Sequence, residues 1–234
     1  MEDFNKIAET WPDKAWAQDF NFNMFIRHFI GAKNDDMVLD VGTGTGALIG
    51  YVAGEIYGCD ISEEMLNKNP LPTRYKALCE DYHLPYSSNT FDVVFSRNLL
   101  KHVKDRPRII KEMYRVLKKG GRLITIESVV FDGVNRDIPT ELIRMTHDEP
   151  DLFPYLSDIV KLHGKISIVR TYQWFGWWFT RWKHASGLTE PNAQTAYDLY
   201  MHAPDDFKRA QYVLLSEDDI CSIIDFAFVE SVKQ

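Results

Sequence analysis

Along the first 130 residues, short apolar runs alternate with amphipathic stretches. Met37-Val38-Leu39-Asp40-Val41 is an apolar run that enters a glycine-rich turn, and runs of the same kind recur at 56–60, 74–78, 91–96 and 123–130. Dense apolar runs of this length, bounded by turn residues, predict strands buried on both faces. Helical spacing fills the gaps between them. Phe22, Phe25, Ile26, Phe29 and Ile30 share one face within 14–30, and 47–54 reads as a helix after the glycine turn. A helix over 62–69 opens at Ser62 with Glu63 and Glu64 in its first turn. A further helix, 105–118, places Ile109, Ile110, Met113, Val116 and Leu117 on one stripe and stops at Gly120-Gly121. Strand and helix in strict alternation predict an α/β fold, a doubly wound and mostly parallel sheet.

Beyond Val130 the periodicity weakens. Short helices are predicted around 139–146, 151–163 and 193–202, with an aromatic block between the last two. Ser216 is a candidate cap for a helix bearing Ile220, Ile223, Ile224 and Ala227, and 228–232 reads as a final strand. No repeat or linker divides the chain. It is therefore expected to be one domain, 1–234, with a regular α/β half at 35–130 that would carry any cofactor, a variable substrate or oligomer region at 131–215 and a closing helix and strand at 216–234.

Charge changes the picture only locally. The net charge is −7, which speaks against nucleic acid as the default partner. Yet residues 101–122 carry nine bases and two acids, while 188–234 carry nine acids and three bases. Because the basic run lies opposite a predicted buried stripe, it is expected to be a solvated face. Cys59, Cys79 and Cys221 have no metal-knuckle spacing, and no histidine pair has zinc spacing, so no metal is expected. Met-Glu-Asp-Phe does not begin a secretory signal and no apolar run reaches 18 residues, so a cytoplasmic protein is expected.

The candidate chemistry begins at Asp40-Val41-Gly42-Thr43-Gly44-Thr45-Gly46. Glycines there let backbone approach a ligand and supply donors near a helix start, although a tight turn without a ligand also favours them. Asp60 ends the second strand, where an acid can accept from a ribose diol. No Gly-Lys-Ser/Thr follows, which disfavours an ATP-type phosphate loop.

From about residue 35 to 130 the chain resembles the class I S-adenosylmethionine-dependent methyltransferases of the small-molecule, methyltransferase-domain-11-like type. Val38-Leu39-Asp40-Val41-Gly42-Thr43-Gly44-Thr45-Gly46 matches the first motif and Gly58-Cys59-Asp60-Ile61-Ser62 the ribose-binding acid. Phe91 to Val103 matches the fourth-strand motif, and Glu112 to Leu123 the helix and turn before strand five. The resemblance implies a Rossmann-like fold and S-adenosyl-L-methionine as cofactor. It implies cofactor contacts at Asp40, Gly42, Thr43, Gly44, Gly46, Asp60, Ile61 and Ser96, with Glu80 or Asp81 toward adenine. Residues after strand four face the transferring methyl in that family, which nominates Arg97 and Asn98 beside the acceptor and His102 as a general base. Arg97 could also recognise an anionic group or form a surface salt bridge, and His102 could simply pack. Asp132, His147 and His163 receive no role.

The expected activity is methyl transfer by in-line displacement to a small acceptor, aromatic or anionic in character. An RNA or protein methyltransferase and a non-catalytic cofactor-binding protein remain as alternatives. Four of the six tryptophans fall in Tyr172 to Trp182. As a strand, this block has Trp174, Trp178 and Trp182 on one face and Phe175, Trp177 and Phe179 on the other. As a helix or loop, it would wall the active site, and beside Arg170, Arg181 and Lys183 it would also suit peripheral contact with a lipid surface. The chain end departs from the family, whose seventh strand returns antiparallel between strands five and six. Here 228–232 reads as the sixth-strand unit, so the sheet is left incomplete, or the insertion at 165–182 or a partner chain supplies the missing strand. A homo-oligomer is the corresponding expectation.

Overall fold

The computed structural model describes residues 4–79, 82–146, 153–186, 188–215 and 219–234. Three short helices lead in: α1 (Phe4–Ile7), α2 (Ala15–Gln18) and α3 (Phe20–Ile30). The helix expected over 14–30 is broken at Asp19, whose extended backbone caps α3 through a side-chain bond from the Phe22 N–H at 2.8 Å. Gly31, left-handed at φ 53°, closes α3. Then follow β1 (Met37–Val41), β2 (Glu55–Asp60), α4 (Glu63–Lys68), β3 (Lys76–Leu78), β4 (Phe91–Arg97), α5 (Arg106–Val116) and β5 (Leu117–Val129). The remainder is α6 (Asp137–Thr146), α7 (Leu156–Leu162), β6 (Ile166–Trp178), α8 (Phe179–Ala185), α9 (Glu190–Met201), α10 (Asp205–Ala210), β7 (Leu214–Leu215) and β8 (Ile220–Val232).

The sheet order is β3-β2-β1-β4-β5-β8-β6, with β7 pairing on β8. Strands β1 to β5 pair in parallel, whereas β8 runs antiparallel between β5 and β6. This is the expected doubly wound, mostly parallel sheet, but its ending differs from expectation. The segment read as a helix bearing Ile220, Ile223, Ile224 and Ala227 is the first half of strand β8. Its β-branched and aromatic residues satisfy strand alternation too, and the slot between β5 and β6 decides between the two periods. The strand that seemed missing is therefore β8 itself, and β6, from the aromatic insertion, is the sixth. The chain supplies its own closing strand, so no partner copy is needed to complete the sheet.

Two other expectations fail for local reasons. Residues 47–54 form successive turns and no helix, because Gly50 and Gly54 take φ of 96° and 102°. Helix α5 ends at Val116 rather than at Gly120. The chain enters β5 at once, and the register opposite β4 skips from Leu117 to Arg122, leaving Gly120 at φ 75° in the bulge.

Alternation along the central strands supplies two cores. Val93, Phe95, Ile124, Ile126, Phe226 and Phe228 face α3, packing on Phe22, Ile26 and Ile30. Val94, Leu123, Ala227 and Val229 face α5, packing on Ile109, Ile110, Met113 and Val116. The basic run around α5 is partly folded back onto the protein. The Arg115 guanidinium grips Glu112 and donates to the carbonyls of Leu84 and Tyr86, and the Arg106 Nε donates to the Leu100 carbonyl at 2.8 Å.

At the α5 side, buried His163 joins Thr125 of β5 at 2.7 Å through Nε2 and Ser231 of β8 at 2.8 Å through Nδ1. Ser231 Oγ also meets the Tyr114 hydroxyl of α5 at 2.5 Å. Burial lowers the His163 pKa from 6.5 to about 4, so the imidazole is neutral in the folded protein. Its stabilising contribution is complete above pH 6.5 and is lost as pH falls through 4. The difference in unfolding free energy between the native chain and His163→Gln is expected to shrink by about 3 kcal/mol over that window. Urea melts at half-unit pH steps check it, and a pH-independent difference would refute it.

Candidate active site

The glycine turn folds back on the end of β2. The N–H groups of Gly42 and Thr43 both donate to the Cys59 carbonyl, at 2.8 and 3.0 Å. Gly44 N–H donates to Asp60 Oδ2 at 2.8 Å, and Ser62 N–H to Asp60 Oδ1 at 3.0 Å. Buried Asn69, absent from the sequence reasoning, clamps the turn from α4's end by donating to Thr43 Oγ1 and to the Gly44 carbonyl. The expected donors of Gly42, Thr43 and Gly44 are thus used internally, and no helix start stands behind them. What the turn offers is a bare surface. Gly44, at φ 52°, would bring a Cβ only within 3.6 Å of Trp11 Nε1, whereas Gly42's would press on Leu99 at 2.9 Å.

This surface walls a cavity of about 200 Å³, together with Asp40, Asp60, Ile61, Met65, Tyr82 and Leu84. Arg97, Asn98, Leu99 and His102 close its far side, with Trp11 and Trp16 above. Of the residues nominated from sequence, Asp40, Gly42, Thr43, Gly44, Asp60, Ile61, Arg97, Asn98 and His102 meet here. Gly46 and Ser96 are not on this wall. Ser96 is fully buried in β4 with no partner for its hydroxyl among the described residues, and Gly46 shapes the turn behind. Glu80 and Asp81 lie outside the described residues, as does His147.

Arg97 is no surface ion pair. Its guanidinium stacks over the Trp16 ring at 4.6 Å and donates to Asn23 Oδ1 at 3.1 Å, joining β4 to the N-terminal helices. Burial raises the Asp40 pKa to about 7 against the pull of Arg97, and burial lowers Arg97 to about 10 against the pull of Asp40. Asn98 is left-handed at φ 54°, and its Oδ1 accepts from the Ser128 N–H at 3.1 Å, so its side chain holds the turn after β4.

That turn delivers His102, whose ring packs edge-on to Phe4 and Trp11 at 5.3 and 6.5 Å. Beyond it lies a second cavity of about 150 Å³. Trp11, Trp16 and His102 line both cavities, and all six tryptophans line the second. Neither sequence reading of the aromatic block was complete. It is strand to Trp178 and helix from Phe179. A bulge at Gly176, φ 143°, puts Trp174 and Trp177 on one buried face and leaves Phe175 and Trp178 exposed. Asp19 fixes this wall to the N-terminal helices, accepting from Trp174 Nε1 at 2.9 Å. Trp11 and Phe4 carry no local motif. Only the shared abundance of tryptophan at both ends of the chain hinted that they meet.

Glu127, also unanticipated, lies fully buried under the Asn98–His102 turn. Its Oε1 accepts from the N–H groups of Leu99 and Leu100 at 2.9 and 3.0 Å, while Oε2 has no hydrogen-bond partner among the described residues. Burial raises its pKa from 4.5 to about 7, opposed by those N–H groups and by Lys101 and Arg106. Stability from this group is complete below pH 4.5 and lost as pH rises through 7. Relative to the native chain, Glu127→Gln is expected to gain about 3 kcal/mol between pH 4.5 and 8. Thermal melts across that range test it, and a constant difference would contradict it.

Residues 39–125 match the family described as a methyltransferase domain. A ubiquinone/menaquinone biosynthesis C-methyltransferase of Vibrio campbellii is 28% identical over 156 residues, covering 57% of this chain and 60% of that protein. The chain thus spans about three-fifths of the length of the curated relatives it matches. The YcgJ protein of Bacillus subtilis superposes with a TM-score of 0.79 at 18% identity, covering 92% of this chain and 99% of that one. Geranyl diphosphate C-methyltransferase of Streptomyces coelicolor, solved with S-adenosyl-L-homocysteine, gives 0.61 at 13% identity, covering 91% and 78%.

Proposed function

We propose that this chain, a class I S-adenosylmethionine-dependent methyltransferase by its residues 39–125, transfers a methyl group from S-adenosyl-L-methionine to a small-molecule acceptor. The observation that carries this reading is the pair of cavities sharing Trp11, Trp16 and His102, one walled by the glycine turn and Asp60, the other by tryptophan. Two ligands seated there would meet at His102. Alignment and exclusion of water are the main demands of such a reaction.

The first cavity suits the cofactor. Asp60 spends one bond per carboxylate oxygen on Gly44 and Ser62, which leaves lone pairs for a ribose diol. The open face at Gly44 admits close contact with the backbone, and Arg97 on the same wall supports a role toward the anionic end of the cofactor rather than of the acceptor. When bound, S-adenosylmethionine supplies a methyl on a sulfonium, so an acceptor lone pair forms the new bond as the carbon–sulfur pair leaves with the thioether. Glu127 and Asn98 hold the turn that carries His102, and for an acceptor that loses a proton we assign His102 to receive it. The N-terminal aromatics Phe4, Trp11 and Trp16 keep water from the junction.

Calorimetry with S-adenosylhomocysteine is expected to show one site per chain, and Asp60→Ala is expected to weaken it about tenfold or more by removing a charge-assisted acceptor. Absence of binding to the native chain would end the reading. Labelled S-adenosylmethionine incubated with size-fractionated cell extract is expected to label the small-molecule fraction. Label confined to RNA or protein would replace the proposed acceptor class. With the acceptor in hand, His102→Gln is expected to lower kcat about a hundredfold while leaving S-adenosylhomocysteine affinity intact. An unchanged kcat would reduce His102 to packing.

A further inference from the structure

The tryptophan-lined cavity has a size, a wall and a charge, and together they narrow its occupant. Its volume is about 150 Å³, and a dry apolar cavity of about 150 Å³ holds one benzene-sized ring. The wall is largely aromatic, built from Trp11, Trp16, Trp174, Trp177, Trp178 and Trp182, which offer both ring faces and ring edges. Planar rings bury most area against such a wall at little entropic cost.

Charge then separates acids from amines. Lys14, Lys101 and Arg181 line this cavity, and no Asp or Glu among the described residues does. Tryptophan faces attract ammonium groups, but two of them are already covered by the protein's own cations. Lys14 Nζ lies 4.4 Å from the Trp11 ring, and the Arg97 guanidinium 4.6 Å from that of Trp16. The charged groups on this lining are all cationic, which disfavours an added ammonium and favours a carboxylate. Arg181 is well disposed for that. Its hydrogen bonds within the described residues go to neutral oxygens, the Asp13 carbonyl at 3.3 Å and Gln18 Oε1 at 2.9 Å. Lys101 Nζ, also on the lining, donates to Ser128 Oγ at 3.0 Å.

We infer that this cavity takes a single-ring aromatic acid, with its ring among the tryptophans and its carboxylate toward Arg181, beside Lys14. The inference rests on the reading that this is the acceptor side of a methyltransferase, and it names the substrate class of that side.

Three probes of one ring and one substituent separate the outcomes: benzoate, benzylamine and benzyl alcohol, titrated calorimetrically into the full chain with and without saturating S-adenosylhomocysteine. Benzoate is expected to bind about tenfold or more tighter than either of the others, as a charge-assisted contact requires. The double variant Lys14→Gln/Arg181→Gln, checked for an unchanged thermal melt, is expected to erase that preference and leave benzyl alcohol as it was. Arg181→Gln alone serves should the double variant melt early. Benzylamine binding as tightly as benzoate, or a preference that survives the variant, would overturn the inference. Binding of S-adenosylhomocysteine with no response to any ring would overturn it too, while leaving the methyltransferase reading standing. The converse, benzoate binding without S-adenosylhomocysteine binding, would uphold the aromatic-acid site and sink that reading.

Discussion

The fold-back of the glycine turn onto the end of β2 is the constraint on which the rest of the site depends. Four backbone N–H groups converge on one carbonyl and one carboxylate, those of Cys59 and Asp60. That arrangement spends the donors a free loop would offer to a ligand. In return it fixes a wall that is open at Gly44 and faces the turn after β4 across the cavity. Asn69 repeats the restraint from the other side, so the wall is held by α4 as well as by the sheet. A rigid surface of this kind serves a cofactor that must be aligned to within a fraction of an ångström.

Opposite that wall, the second half of the site is assembled from both ends of the chain. Asp19 does two jobs with one carboxylate, starting α3 with one oxygen and tethering Trp174 of the edge strand with the other. Arg97 makes the matching tie from β4 to Asn23 and Trp16. The N-terminal helices are thereby part of the site's roof, and the aromatic insertion is its side wall.

What was legible in the sequence is what local rules decide. Strands β1, β2 and β4, the Ser62-capped helix α4 and the stripe of α5 all follow from period and punctuation, and the glycine turn with Asp60 follows from a motif. Residues 220–227 depart from expectation because Ile220, Ile223, Ile224 and Ala227 satisfy helical spacing, while the neighbouring strands that claim them are far away in sequence; 228–232 is the strand its pattern predicts. Residues 47–54 were misread because apolar content outweighed two glycines whose positive φ forbids a helix. Glu127 was invisible for a third reason. Inside a strand it looks like a solvated charge, and only the turn after β4, folded over it, makes it an interior acceptor. Trp11, Phe4 and Asn69 act at the site through distance alone, which no window along the chain can see.

The bulge at Gly176 shifts the alternation of β6 by one residue, and with it the identity of the rings that face inward. Because β6 is an outer strand, paired along its length only with β8, this shift disturbs one neighbour and leaves β1 to β5 untouched. The rings of β6 can thus change without displacing β1 to β5, while Trp11, Trp16 and His102 still join the two cavities. A one-residue insertion or deletion near 176 would exchange the rings that β6 gives to the aromatic cavity while the glycine turn and Asp60 kept their places. Under the proposed function, chains that share this first half can therefore diverge in their acceptor through a step smaller than a loop replacement.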